Sequence, residues 1–240
     1  MPGFASGRQA RFARRFLAAA ARALFPQDTA RRDSFSAAAA AMGAQLYAER
    51  ADTLPDDASR DQESHRALVL ASVRCAVELG VVRAEAIDVI GAVYRDISQA
   101  APKNQFRLLL ALAPNPLRVL QRLGMAESLR RMMGQDMLAK DDVGPDHYAL
   151  VIEGCAYNDF FRRHGESDVT LVFCKADRAW MDVINRSKRS LTITRPSTQS
   201  TGAAQCVFRY ENSASAVKPD IDAANVRRAA DPQTGAGAAS

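Results

Sequence analysis

Histidine, tryptophan and cysteine are scarce in this 240-residue chain, at three, one and four residues. No apolar run reaches the roughly 18–20 residues that a membrane span requires, so stable membrane insertion is not expected. Four cysteines are too few for a disulfide-stapled small domain, and the chain has neither a collagen repeat nor low-complexity composition. His65 and His147 have no cysteine or acid at metal-ligand spacing and read as surface residues. His164 reads as a helix C-terminal cap, where an imidazolium suits the helix dipole. Gly154, Gly165 and Gly202 do not assemble into a phosphate-binding loop, and no internal repeat of about 20–50 residues is visible. What is present is 48% hydrophobic and 25% charged residues, enough for one sizeable core in a 26.0 kDa chain.

The net charge of +5 is unevenly placed. Residues 1–32 hold seven arginines against one acid, Asp28, which leaves the remaining chain at −1. Phe12, Phe16, Ala19, Ala20, Leu24 and Phe25 recur at helical spacing with arginines opposite, so residues 8–25 read as a basic amphipathic helix within a basic helical arm over 1–33. The stretch Phe16–Phe25 has the outline of a leader, but Arg22 interrupts it. An amphipathic helix and a cytoplasmic setting with reduced thiols are the expectation. Neither aromatic interleaving nor a second basic patch points to nucleic acid.

Residues 34–146 read as a helical region. Helices are expected at 34–50, 63–79, 84–100, 104–112, 116–123 and 125–139, with Asp52–Glu63 as a linker or surface loop. From His147 the texture changes. Tyr148–Ile152 is a strand-like run, Asn158–His164 a short helix, and 174–184 a helix carrying Trp180 as a core anchor. Ser190–Thr194 and Gln205–Tyr210 both alternate and predict a β-hairpin with a long connection rich in hydroxyls. The expected fold is α+β, with a helical N-terminal half packed on a small, mostly antiparallel sheet, and 212–240 as a disordered tail.

Three of the four cysteines, Cys155, Cys174 and Cys206, fall in the 147–211 region. Cys75 lies among Ala71, Val73, Ala76 and Val77 and reads as core. On a helix, Cys174 and Asp177 share a face, where the carboxylate can orient a substrate or relay a proton. A thiolate there attacks electrophilic carbon; alternatively, three sulfurs bind zinc and leave a fourth position for water. Spacing alone leaves both options open.

The runs Gly154-Cys155-Ala156-Tyr157, Phe160-Phe161 to Gly165, Phe173-Cys174-Lys175-Ala176-Asp177, Ile193-Thr194-Arg195 and Gly202 to Cys206-Val207-Phe208 resemble, in order and spacing, the L-2-amino-thiazoline-4-carboxylic acid hydrolase family. The resemblance covers about 147–211. It implies hydrolytic ring opening at a cyclic amidine-type C–N bond of a small carboxylate-bearing heterocycle, with N-carbamoyl-cysteine as product. It names no cofactor and no metal. The ring carbon between nitrogen and sulfur is electrophilic, and attack by thiolate or water gives a tetrahedral centre that needs a proton donor.

On this resemblance the candidate catalytic residues are Cys174 or Cys206 as the attacking sulfur, Asp177 for acid–base or orienting work, and Cys155 as partner thiol or pocket wall. Arg195 is the candidate for a bidentate grip on the substrate carboxylate. The chain departs from the family's usual pattern at Ala156, where proline is common, and at Pro196, Ser197 and Thr198 after the arginine. The closing Gly-x-x-x-Cys-x-Phe is also similar to 4-vinyl-reductase-type domains, so a non-catalytic small-molecule- or zinc-binding domain is the alternative.

Overall fold

The computed structural model describes residues 7–212. The helical half consists of α1 (Gly7–Leu24), α2 (Thr29–Ala48), α3 (Asp57–Glu78), α4 (Arg83–Ser98), α5 (Ala100–Leu112), α6 (Pro116–Leu123) and α7 (Ala126–Met133). Strands β1 (Leu138–Val143) and β2 (His147–Gly154) follow, then α8 (Ala156–Arg163), α9 (Thr170–Ala176) and α10 (Arg178–Asn185). Strands β3 (Leu191–Ser197) and β4 (Cys206–Asn212) close the fold. The sheet is antiparallel throughout in the order β1-β2-β4-β3, so the fold is α+β with a C-terminal β3–β4 hairpin. The tail expected over 212–240 lies outside the described residues except for Asn212, which ends β4.

The apolar stripe of α1 is spent on the core. Phe16, Leu17, Ala20 and Ala21 are buried, and the ring of Phe12 stacks on Phe16 at 5.7 Å and lies over His65 at 3.9 Å. His65 is therefore packed under α1 and is not the surface residue that its spacing suggested. The region 52–63 is likewise not a loop, because α3 starts at Asp57. Asp56 caps it by accepting from Ser59 N at 2.7 Å, and Pro55 stands just outside the helix.

The helix expected at 125–139 stops at Met133. Gly134 adopts φ 102°, and a Cβ there would meet Ser59 backbone nitrogen at 2.6 Å, so only glycine allows the chain this close to α3. The chain then becomes β1, whose single buried side chain is Ala139. An edge strand carrying Lys140, Asp141 and Asp142 leaves no apolar alternation to read.

The sheet's helix-facing side follows from period two. Tyr148 stands opposite Tyr210, Leu150 opposite Phe208 and Ile152 opposite Cys206, while Ile193 stands opposite Tyr210 on the other flank. Trp180 joins this face to the helices, stacked on Phe106 at 4.9 Å and tilted against Phe208 at 5.6 Å. The alternation of Cys206, Phe208 and Tyr210 thus aims the Cys206 side chain inward, and Leu191, Ile193 and Arg195 do the same from β3.

Candidate active site

The site forms where the end of β2, the α9–α10 joint and the start of the β4 strand meet. Cys155 is the residue before α8 and is buried. Cys174 lies on α9. The helix expected over 174–184 is interrupted three residues later, where Asp177 links α9 to α10 with φ −58° and ψ −29°. Asp177 is thereby held between the two helices, where its Oδ1 accepts from Trp180 Nε1 at 3.3 Å.

Arg195 projects from β3 with only 5% of its side chain exposed. Its Nη1 donates to the Cys174 carbonyl at 3.0 Å and to Asp177 Oδ2 at 3.4 Å, and its guanidinium lies 5.7 Å from the centre of the Phe208 ring. Its Nε is buried and has no hydrogen-bond partner among the described residues. A buried guanidinium donor without a partner is costly unless a ligand group completes it.

The long β3–β4 connection binds the cysteines together. Pro196 is accommodated because β3 is an edge strand with an irregular register between Thr194 and Ser197. A 3-10 helix, Gln199–Thr201, follows, closed by Gly202 in the left-handed region at φ 87°. Thr198 Oγ1 lies 3.9 Å from the Cys174 sulfur and 3.5 Å from the Cys206 sulfur, so the two thiols meet at one hydroxyl. Cys174 also donates to Ser200 Oγ at 3.3 Å. Gln199 N donates to Cys206 Sγ at 3.2 Å, and Gln199 Oε1 accepts from Cys155 N at 3.1 Å. All five candidate residues, Cys155, Cys174, Asp177, Arg195 and Cys206, therefore belong to one hydrogen-bonded cluster. Cys75 stays apart in α3, its thiol pushed up to about 11 by burial and by Glu78.

The thiols differ in setting. Burial pushes Cys155 up to about 12. Burial also raises Cys174, against the pull of the Arg195 charge and the Ser200 hydroxyl. Asp177 is raised by burial too, with Arg195 and Trp180 opposing, although 32% of its side chain remains accessible. Behind the cluster, Tyr157 donates to Gln62 Oε1 at 2.6 Å and stacks on Phe173 at 4.3 Å, and Tyr94 closes on Phe173 edge-on at 4.5 Å. Burial raises both phenols, so they stay neutral.

Thr198, Gln199 and Ser200 are the site residues that sequence reasoning passed over. Their only signal was a hydroxyl-rich connection, and hydroxyls are common in any loop. Among the described residues no three His, Cys, Asp or Glu side chains are arranged to hold a metal ion, so the three cysteines do not form a zinc donor set here. A basic groove of about 840 Å³, lined by Lys103, Arg107, Arg178 and Arg186 among others, lies beside α10 and includes none of the five residues.

The family model for L-2-amino-thiazoline-4-carboxylic acid hydrolase matches residues 60–210, from α3 to Tyr210 in β4. The chain belongs to the L-2-amino-thiazoline-4-carboxylic acid hydrolase family. No curated protein matches the chain. Family membership makes it a hydrolase acting at a cyclic amidine, by ring-opening hydrolysis of 2-aminothiazoline-4-carboxylate, a small-molecule substrate. No helix among the described residues is long and apolar enough to cross a membrane.

Proposed function

We propose that this hydrolase uses Cys206 as the nucleophile, Asp177 as the proton-handling group at the amidine, and Arg195 as the carboxylate anchor. The observation that carries the assignment is the Gln199 N–H on the Cys206 sulfur. The thiolate is the attacking species, and the Cys206 sulfur has both an N–H donor and a hydroxyl acceptor beside it. Burial raises the thiols of Cys155 and Cys174. Thr198, within reach of Cys206 and Cys174, offers a hydroxyl through which the thiol proton leaves.

Atom balance sets the order of bonds. The Cys206 sulfur adds to the ring carbon across its C=N bond, and the proton on that nitrogen is held by Asp177, whose acid form persists above the ordinary carboxylate range. N-carbamoyl-cysteine keeps both nitrogens on this carbon, so the ring sulfur is the group that leaves, taking up the proton that Cys206 gave away. Water then adds to the enzyme-bound isothiourea carbon, and Cys206 departs as the thiolate. The sum is one substrate plus one water, with no redox change. Arg195 meets the substrate carboxylate through its unpartnered Nε edge. Chemistry that needs free thiols fits four unpaired cysteines and a cytoplasmic setting.

The test is turnover of 2-aminothiazoline-4-carboxylate by the wild type, Cys206→Ala and Cys174→Ala, with circular dichroism as the folding check. Expected is a loss of at least about 10³-fold in kcat for Cys206→Ala and a smaller loss for Cys174→Ala. A folded Cys206→Ala enzyme with near-normal kcat would overturn the assignment. Ligand binding without turnover in the wild type would leave the site a binding module.

A further inference from the structure

We infer that Gln199 is a positioning residue that holds the Cys206 sulfur against its N–H donor and fixes Cys155 beside it. The inference rests on Cys206 being the nucleophile. Besides accepting from Gly202 N within its turn, Gln199 makes four hydrogen bonds that end on the cysteine-bearing segments. Its backbone N–H goes to Cys206 Sγ at 3.2 Å, and its Oε1 accepts from Cys155 N at 3.1 Å. Its Nε2 donates to Glu153 O at 2.8 Å and to Ala204 O at 2.9 Å. Both side-chain polar atoms are thus spent, one on the residue before α8, the other on the end of β2 and on the approach to β4.

The geometry has a chemical consequence. The N–H that faces Cys206 belongs to a short 3-10 helix whose hydrogen bonds are local, Thr201 N and Ala203 N both returning to Thr198 O. Such a turn does not fix its own orientation relative to β4. The amide side chain supplies that orientation by clamping the turn to β2. A glutamine suits the task because it presents one acceptor and two donors on a planar group. Glutamate offers no donors for the Glu153 and Ala204 carbonyls, and its charge would stand beside the thiolate.

The test uses Gln199→Glu and Gln199→Ala in the full chain, with Thr201→Ala as the comparison. The exposed Thr201 lies in the same turn, where its hydroxyl donates to Thr198 O at 3.0 Å. Iodoacetamide labelling of Cys206 is followed against pH by peptide-resolved mass spectrometry, alongside thermal midpoints and the split between kcat and KM. Both Gln199 variants are expected to label about tenfold more slowly at neutral pH, because the turn that holds the N–H donor against the sulfur is released. kcat should fall in proportion while KM stays within about twofold. Thr201→Ala should leave the Cys206 profile in place. A Cys206 profile unchanged in both Gln199 variants while the thermal midpoint drops would reduce Gln199 to a loop staple and overturn the inference. An equal shift in Thr201→Ala would overturn it as well, by showing general loosening. The labelling readout does not depend on turnover, so a wild type inactive on aminothiazoline carboxylate sinks the hydrolase reading while the positioning of Cys206 is judged separately.

Discussion

His65 shows how one side chain links the N-terminal helix to stability. It sits on α3 beneath the Phe12 ring of α1 and edge-on to Tyr94 at 6.4 Å, and burial, with Arg66 beside it, lowers it to about 4. The unfolded chain binds this proton near the ordinary value of about 6.5 and the native state resists it. A histidine depressed in the native state therefore costs stability as pH falls from 6.5 towards 4 and costs nothing at neutral pH. Linkage puts the loss between pH 7 and pH 5 at about 2 kcal/mol. Glu63 two residues away is raised by burial and acts in the opposite sense, so the variant matters more than the raw pH curve. His65→Phe, which keeps a ring under Phe12, is expected to lose less urea stability between pH 7 and pH 5 than the wild type by about that amount. Parallel losses in the two proteins would place the acid sensitivity elsewhere. The sequence carried no hint of this, because a histidine within an acidic stretch reads as solvated until α1 is laid over it.

The elements show the same split between what patterns reveal and what tertiary geometry decides. Helices with a clear apolar stripe, α1, α4 and α6, are legible to within a residue or two, and so are β2 and β4, whereas β3 runs three residues past the expected Thr194 across its irregular register. The start of α3 was hidden because its first two turns are polar and its cap lies in a run of acids. Asp56 there works twice, with Oδ1 accepting from Ser59 N at 2.7 Å and Oδ2 from Gln135 N at 2.9 Å, which ties the α3 N-terminus to the turn after α7. Desolvation works against it, yet these N–H bonds hold its carboxyl below the usual value. Asp56→Ala should cost about 1–2 kcal/mol in chemical denaturation, with Asp56→Asn recovering part of it. A loss within about 0.3 kcal/mol of zero would mean that the cap is replaced by water at no cost. At the site, the order of Cys155, Cys174, Asp177, Arg195 and Cys206 was legible because each sits on a patterned segment. The connection that joins them was not, since Thr198, Gln199 and Ser200 act through backbone geometry that composition does not encode.

At the scale of the whole molecule, the family's signature and the folding unit do not coincide. The match spans 60–210, which leaves out α1, α2 and the first turn of α3. Yet Phe16, Leu17, Phe25, Phe35, Ala39 and Leu46 from the omitted part are buried in the one hydrophobic core that also contains Leu68, Leu70, Tyr94 and Phe173. Gly43 of α2 approaches α3 so closely that a Cβ would meet the Leu68 backbone at 3.4 Å. Six of the seven arginines of residues 1–32, all but the half-buried Arg32, therefore belong to the outer side of helices whose inner side the hydrolase needs, which is why the net charge says little about the reaction. Each of those large apolar side chains is worth about 1.5–3 kcal/mol of burial, and a domain of this kind has only about 5–15 kcal/mol in total. Residues 60–210 expressed alone are accordingly expected to lack a cooperative thermal transition and to bind a hydrophobic dye, whereas residues 7–212 retain both the transition and Cys206 labelling. A cooperatively folding 60–210 fragment would show instead that α1 and α2 are an addition to a self-sufficient catalytic unit. Tyr94 and Phe173 pack between α1 and the cysteine cluster, so in the folded chain α1 reaches the site through them. On that geometry Phe16→Ala should lower kcat as well as stability, whereas the exposed Arg14→Ala, on the far side of the same helix, should change neither.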